Sequence, residues 1–256
     1  MKRLLMVICL CFMCFNLNSQ SAFIYDIYKD IGIGIAALSV SIAPFFMNNE
    51  PETNPAGLNS NDIFSFDRAF MASYNDSMDI LSYVGLYSLF ALPLISLSGN
   101  FTNKDALLTY GIMYTQSILL VYGTTEILKC TTPRYRPFSY FGDNPSLYKD
   151  DYYKSFPSRH AAFAFMSASF FTTTFFTENP ESSWKIPILL GSYTLATTVS
   201  ALRIGSGVHF VTDVLAGAAI GTFFGWAIPM LHKRQNPENK MALNITGNGI
   251  IVTVRF

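Results

Sequence analysis

Two of the chain's three histidines stand beside residues that could make them reactive. His209 is followed four residues later by Asp213. On a helix that spacing makes neighbours of two side chains, so the carboxylate can accept the Nδ1 proton, fix the tautomer and leave Nε2 as a nucleophile. A plain surface pair has the same spacing. His160 closes the run Phe156, Pro157, Ser158, Arg159, His160, directly before an apolar stretch. Ser158 is placed to cap a helix whose first N–H groups lack internal partners, and such an N-terminus attracts anions. An ordinary helix cap with a surface histidine fits these residues too.

Three cations accompany them. Lys129 ends one apolar stretch, and Arg136 follows across Pro133, which must stop a helix. Arg203 ends another such stretch, before a turn built from Gly205, Ser206 and Gly207. Taken singly, basic residues at helix ends commonly snorkel or set topology. Taken together, Lys129, Arg136, His160, Arg203 and His209 all fall at ends of apolar windows that the topology below places on one side. Chance would have to arrange several fixed spacings among residue types that each make up only about 2–6% of a typical chain. His232 falls at the opposite end of the bundle and has no expected role beyond the interface there. No Asp, Glu and His cluster has metal-ligand spacing, so no metal or cofactor is expected.

The elements that must position these residues are apolar. Uncharged, mostly apolar windows recur at Ile31–Asn49, Ile80–Asn103, Ala106–Thr125, Ala161–Thr177, Ile186–Leu202 and Val214–Leu231. Each approaches the roughly 20 residues that span a bilayer, and Trp184 and Trp226 lie near window ends, as interfacial anchors do. Half of the residues are apolar and 13% are charged, against about 25% in soluble domains. The mean hydropathy of +0.30 also admits a soluble helical bundle. A formal net charge of zero argues against a nucleic-acid partner.

Lys233, Arg234 and Lys240 follow the last window while the Glu50–Asp79 loop is acidic, which puts the C-terminus in the cytoplasm. Counting back six spans brings the Lys129–His160 and Arg203–His209 loops together on the periplasmic side. Residues 1–21 have the layout of a secretory signal: Lys2 and Arg3, an apolar run from Leu4 to Phe15, then small polar residues. A cleaved leader followed by six spans would turn those loops inward. Either the leader stays, or one window does not span, or the bundle is soluble in the periplasm. Cys9, Cys11 and Cys14 lie in the leader, so a cleaved chain keeps only Cys130 and forms no internal disulfide. The expected domain is 22–232. In the tail, 233–256, Gly247, Asn248 and Gly249 between apolar stretches predict a β-hairpin.

The stretches KCTTPRYRP, PSRH and RIGSGVHFVTD resemble the three signature motifs of the type 2 phosphatidic-acid phosphatase superfamily, which is related to vanadium haloperoxidases. They cover Lys129–Asp213, and the six windows resemble the membrane branch of that family. The resemblance implies an all-α, six-helix membrane bundle with the hairpin appended. It further implies that Lys129, Arg136 and Arg203 hold phosphoryl oxygens while Ser158 and backbone N–H groups complete the cradle. His209 would be the nucleophile, Asp213 its orienter and His160 the general acid. Arg159 departs from the pattern, which commonly has Gly there; a large cation could narrow the pocket or bind a second phosphate.

The implied reaction is metal-independent hydrolysis of a phosphate monoester or pyrophosphate through a phosphohistidine. A bilayer setting makes lipid phosphates the first substrate class, with lipid A, undecaprenyl pyrophosphate, phosphatidylglycerol phosphate and phosphatidic acid as candidates. The implied location is a bacterial-type cell envelope, in the inner membrane with the site facing the periplasm. A soluble periplasmic acid phosphatase, a vanadium haloperoxidase and a non-catalytic phospholipid-binding membrane protein remain as alternatives.

Overall fold

The structure is a computed structural model describing residues 21–47, 57–96, 103–149, 151–234, 241–246 and 249–254. Residues 1–20 of the 1–21 leader, with three of the cysteines, lie outside the described residues, as do 48–49 and 97–102 at the ends of two windows and the turn residues 247–248. The described residues are mostly helical: α1 Ile27–Ile42, α2 Ser65–Arg68, α3 Asp76–Ser96, α4 Lys104–Thr131, α5 Arg159–Glu178, α6 Lys185–Gly205 and α7 Val211–His232. Beyond the helices, β1 Met241–Thr246 and β2 Gly249–Val254 pair antiparallel, with Met241 opposite Val254.

The helix limits follow from local chemistry. Asp26 caps α1 by accepting from Tyr28 N and Lys29 N, both at 3.1 Å, and Asn103 caps α4 through Asp105 N and Ala106 N. These bonds satisfy first-turn donors that have no partner inside the helix. Pro133 cannot supply an N–H, and α4 stops at Thr131. The first window is displaced: its helix starts at Ile27, four residues before the apolar run, and gives way to a 3-10 turn at Ala43–Phe46 around Pro44.

Among the described residues, four segments are long and apolar enough to cross a membrane: Ile27–Phe46, Lys104–Thr131, Lys185–Gly205 and Val211–His232. The helix α5 lies at the centre instead, packed against α3, α4, α6 and α7. A central helix touches protein rather than lipid, so it can carry hydroxyls if each finds a carbonyl. Thr172 and Thr174 each bond back four residues, to Ala168 and Phe170, and Ser169 Oγ reaches across to Thr222 O on α7 at 2.9 Å.

The α5–α7 contact is the closest in the bundle because α7 presents glycine every fourth residue. A Cβ at Gly217, Gly221 or Gly225 would run into the carbonyl oxygens of Ser158, Ala162 and Met166 respectively. Without side chains there, the two backbones touch along three turns, and the start of α7 is held against the start of α5. At the far end His232 is not an interfacial residue. It is buried, with Nε2 at 2.5 Å from Asp30 Oδ1 on α1, because a pair of ionisable side chains between helices avoids lipid by facing inward.

Candidate active site

The residues singled out for chemistry lie at one end of the bundle, opposite His232. Lys129 comes from the last turn of α4, Ser158 and His160 from the start of α5, Arg203 from the end of α6 and Asp213 from the first turn of α7. Arg136 is held by a short extended pairing: Arg134 N and Arg136 N donate to Tyr153 O and Tyr152 O, and Ser155 N donates back to Arg134 O at 3.0 Å. That pairing sets Arg136 and Ser155 on either side of His209.

Ser158 caps α5 as its position in the sequence requires, accepting from Ala161 N. Its own N–H donates to Asp213 O at 2.9 Å, which ties the start of α5 to the first turn of α7. The turn before His209 needs glycine at Gly207, whose φ of 70° is left-handed and whose missing Cβ would strike Ala72 O. The chain then returns so that His209 N donates to Arg203 O at 3.2 Å.

His209 does not share a helix with Asp213. Phe210 is the N-cap of α7 and His209 precedes it, so the four-residue spacing does not bring the two side chains into register. His209 Nδ1 instead faces the Ser155 carbonyl oxygen at 2.8 Å, while the nearest Asp213 oxygen is 3.6 Å away. Asp213 spends its carboxylate elsewhere: Oδ2 accepts from Ser155 Oγ at 2.5 Å and from Phe210 N at 2.9 Å, and Oδ1 accepts from Arg134 at 2.6 Å. A carbonyl can only accept, so His209 carries its proton on Nδ1 and its lone pair on Nε2. That lone pair faces an Arg136 N–H at 3.3 Å.

The three cations are all buried. Lys129 Nζ donates to Lys154 O at 2.6 Å. Arg136 meets Asp151 through the backbone oxygen at 2.9 Å and through the carboxylate, and Val208 O at 3.1 Å. Arg203 is paired with the buried Asp79 and also donates to Ser82 Oγ and Tyr148 OH, each at 3.0 Å. Two buried nitrogens in this group have no partner: Arg203 Nε and His160 Nε2. Both residues flank the Tyr83 ring, His160 edge-on at 4.4 Å between centroids and the Arg203 guanidinium at 5.7 Å. Buried polar nitrogens without partners are rare in folded proteins, and here two of them gather where an anion would find a donor in Arg203 Nε.

Electrostatics favour a neutral imidazole. Burial pushes the His209 pKa well below its ordinary value, and the charges of Arg136, Arg203 and Lys129 push the same way, with the Ser155 carbonyl opposing. Burial also raises Tyr148, outweighing the nearby Arg203. Its hydroxyl therefore stays protonated and donates to Asp79.

Arg159 does not enter the site. Its guanidinium pairs with Glu126 on α4 at 2.8 Å, and its side chain is 40% exposed. Sequence reasoning passed over Arg134, Asp67, Asp79, Asp151 and Ser155. Arg134 holds Asp67, Thr212 and Asp213 together, and its guanidinium lies over the Phe210 ring at 4.0 Å. Asp79, at the edge of an apolar window, was the one available signal, since a carboxylate entering such a region requires a cation.

The model of the PAP2 superfamily matches residues 110–237, half of the chain. No curated protein matches. Two solved structures are similar. One is a transmembrane PAP2 type phosphatidylglycerolphosphate phosphatase from Bacillus subtilis, at 23% identity over 80% of this chain and 96% of that one, TM-score 0.48. The other is LpxE from Aquifex aeolicus, at 22% identity over 63% and 91%, TM-score 0.41. With the family model spanning Lys129, the Ser158 cap and the His209 turn, the chain belongs to the PAP2 superfamily.

Proposed function

We propose that this chain is an integral membrane phosphatase that hydrolyses a phosphate monoester or pyrophosphate on a lipid, without a metal, through a phosphohistidine at His209. The observation that carries the reading is His209 Nε2 set among three buried basic side chains, with Arg203 Nε and His160 Nε2 unpartnered beside it. Phosphoryl transfer needs positioning and charge stabilisation more than covalent assistance, and the Arg136 and Arg203 guanidinium groups, with the Lys129 amine beside them, supply donors and positive charge for it.

In the first step the Nε2 lone pair attacks phosphorus, the bond from phosphorus to the leaving oxygen breaks, and His160, protonated in the complex with the anionic substrate, gives that oxygen a proton. In the second, water attacks the phosphohistidine, His160 takes a proton back, and the nitrogen–phosphorus bond breaks to release inorganic phosphate. Ser155 orients His209 through its carbonyl, and Asp213 acts by fixing Ser155.

Lipid is the favoured substrate class because Lys129 lies in the last turn of a candidate span, at the depth of lipid headgroups. The site faces away from the cytoplasm on our reading. His209 precedes the first residue of α7, whereas Lys233 and Arg234 follow its last, and basic residues stay inside. This holds however many other segments span. A six-helix membrane bundle with a hairpin tail completes the proposed architecture.

The deciding experiment supplies radiolabelled lipid phosphates to the purified full chain in detergent with EDTA present. Wild type should release phosphate and form an acid-labile, base-stable phosphoprotein; His209→Ala should do neither. Full turnover by His209→Ala, or loss of wild-type turnover in EDTA, would remove the mechanism.

A further inference from the structure

The segment 64–70, built around the short helix α2, has two opposed faces. Inward, Asp67 is 1% exposed and both its oxygens are occupied: Oδ1 accepts from Thr212 N at 2.9 Å, and Oδ2 from Thr212 Oγ1 at 2.6 Å and Arg134 at 2.8 Å. Outward, Phe64, Phe66 and Phe70 are 64%, 45% and 55% exposed. Their rings form one cluster, with centroids 6.5 Å apart for Phe64 and Phe66 and 5.6 Å for Phe66 and Phe70. The nearby charge of Arg68 is turned aside to Asn61. These aromatic rings lie outside every candidate span, so lipid contact along a spanning helix does not account for their exposure.

The anchor sets their depth. Thr212 is the second residue of the candidate span Val211–His232, so Asp67 pins α2 level with the point where that span leaves the apolar layer. A second marker agrees. The helix α1 runs alongside α4 from Asp30 beside Gln116 to Ser41 beside Leu119, which carries the end of the candidate span Ile27–Phe46 toward the Lys129 end. Its last residues, Phe45 and Phe46, are also exposed. Exposed aromatic clusters of this kind in water mark a docking surface, and interfacial depth is where amphipathic aromatic segments bury into the boundary of headgroups and acyl chains.

We propose that Phe64, Phe66 and Phe70 insert into the interfacial layer of the leaflet that presents the substrate, making α2 a lipid anchor fastened to the helix that follows the nucleophile. The insertion rests on geometry alone. Its consequence, a preference for phosphates presented in a bilayer over soluble ones, rests on the proposed phosphatase reading. The occupant is a lipid surface; a protein partner or a second copy of the chain would be revealed by the same test.

The test uses the full chain in vesicles of phosphatidylcholine and phosphatidylglycerol, carrying Phe66→Trp in a background of Trp184→Phe and Trp226→Phe. Lipids brominated near the headgroup end of the acyl chain should quench the single indole, and its emission should lie to the blue of an indole in water. Emission like that in water, or a blue-shifted signal indifferent to brominated lipid as under a partner protein or second copy, overturns the insertion. This readout is independent of activity, so it stands even if no phosphatase turnover is found. A second arm combines Phe64→Ser, Phe66→Ser and Phe70→Ser. The KM for a lipid phosphate in vesicles should rise about tenfold, with kcat/KM for a soluble phosphate monoester unchanged within about twofold. Equal losses on both substrates, or no loss on either, overturn the anchor's role in substrate choice.

Discussion

His209 Nδ1 lies 2.8 Å from the backbone carbonyl of Ser155. That carbonyl cannot titrate and cannot donate, so it selects one tautomer at every pH at which the ring is neutral. The Ser155 hydroxyl donates to Asp213 at 2.5 Å, and Asp213 is in turn gripped by Arg134. The carboxylate therefore works one bond further from the imidazole than its place in the sequence indicates.

This arrangement predicts an unusual mutational pattern. Where a carboxylate directly holds the imidazole, an Asp-to-Asn change selects the wrong tautomer and costs about 10⁴ in kcat. Here Asp213→Asn should cost no more than about a hundredfold, and Ser155→Ala should cost a similar factor by loosening the same carbonyl. Steady-state rates on one substrate decide it: a loss near 10⁴ for Asp213→Asn with an intact Ser155→Ala would hand the orienting role back to Asp213.

Histidine nitrogen NMR gives a pH test. The depressed pKa means that the proton-bound form of His209 appears only well below the ordinary value of about 6.5. At pH 6.5 the ring should therefore be neutral and protonated on Nδ1, with any acid limb of kcat that belongs to it falling at lower pH. Spectra of labelled protein, assigned by loss of one signal in His209→Gln, check this; an imidazolium at pH 6.5 contradicts it.

The cation clamp carries both catalysis and stability. Arg203→Ala and Lys129→Ala should each lower kcat about a hundredfold to a thousandfold, as removal of a transition-state donor does. Asp79→Ala leaves Arg203 charged and buried, just as Arg203→Ala leaves Asp79 without its partner; unfolding in detergent should show a loss of about 3–5 kcal/mol for each.

The glycine contact predicts a contrast within one residue type. Gly221→Ala drives a methyl into Ala162 O and should destabilise by about 1–3 kcal/mol or more, while Gly191→Ala on α6 meets nothing within 4 Å and should be neutral or slightly stabilising. Paired thermal melts of the two variants are the measurement.

Arg159→Gly should leave turnover within about fivefold, since its partly exposed pairing with Glu126 is worth at most about 1 kcal/mol and its side chain lies outside the cradle. A large gain or loss in KM would instead place this cation at the substrate.

Much of this protein was legible from local pattern. Residue type and spacing marked Lys129, Arg136, Ser158, His160, Arg203, His209 and Asp213, and the structure gathers all seven at one end of the bundle. The apolar windows located the long helices, because hydrophobic runs and a capping serine act over a few residues. The glycines at 217, 221 and 225 were equally visible in the sequence; their meaning as a helix contact depends on which helix lies opposite. The first window's limits were misplaced because a cap at Asp26 starts the helix before the apolar run does.

What the tertiary structure alone decided is the set of partners. Ser155 stands 54 residues from His209, Asp67 stands 67 from Arg134, and Asp79 stands 124 from Arg203. A buried charge or imidazole takes whichever acceptor the packed backbones bring within about 3 Å. Such distances are settled by how α5 seats on the glycine face of α7 and how the 134–136 and 152–155 segments pair. No spacing along the chain encodes them, which is why the residues of the site could be read in advance and the wiring between them could not.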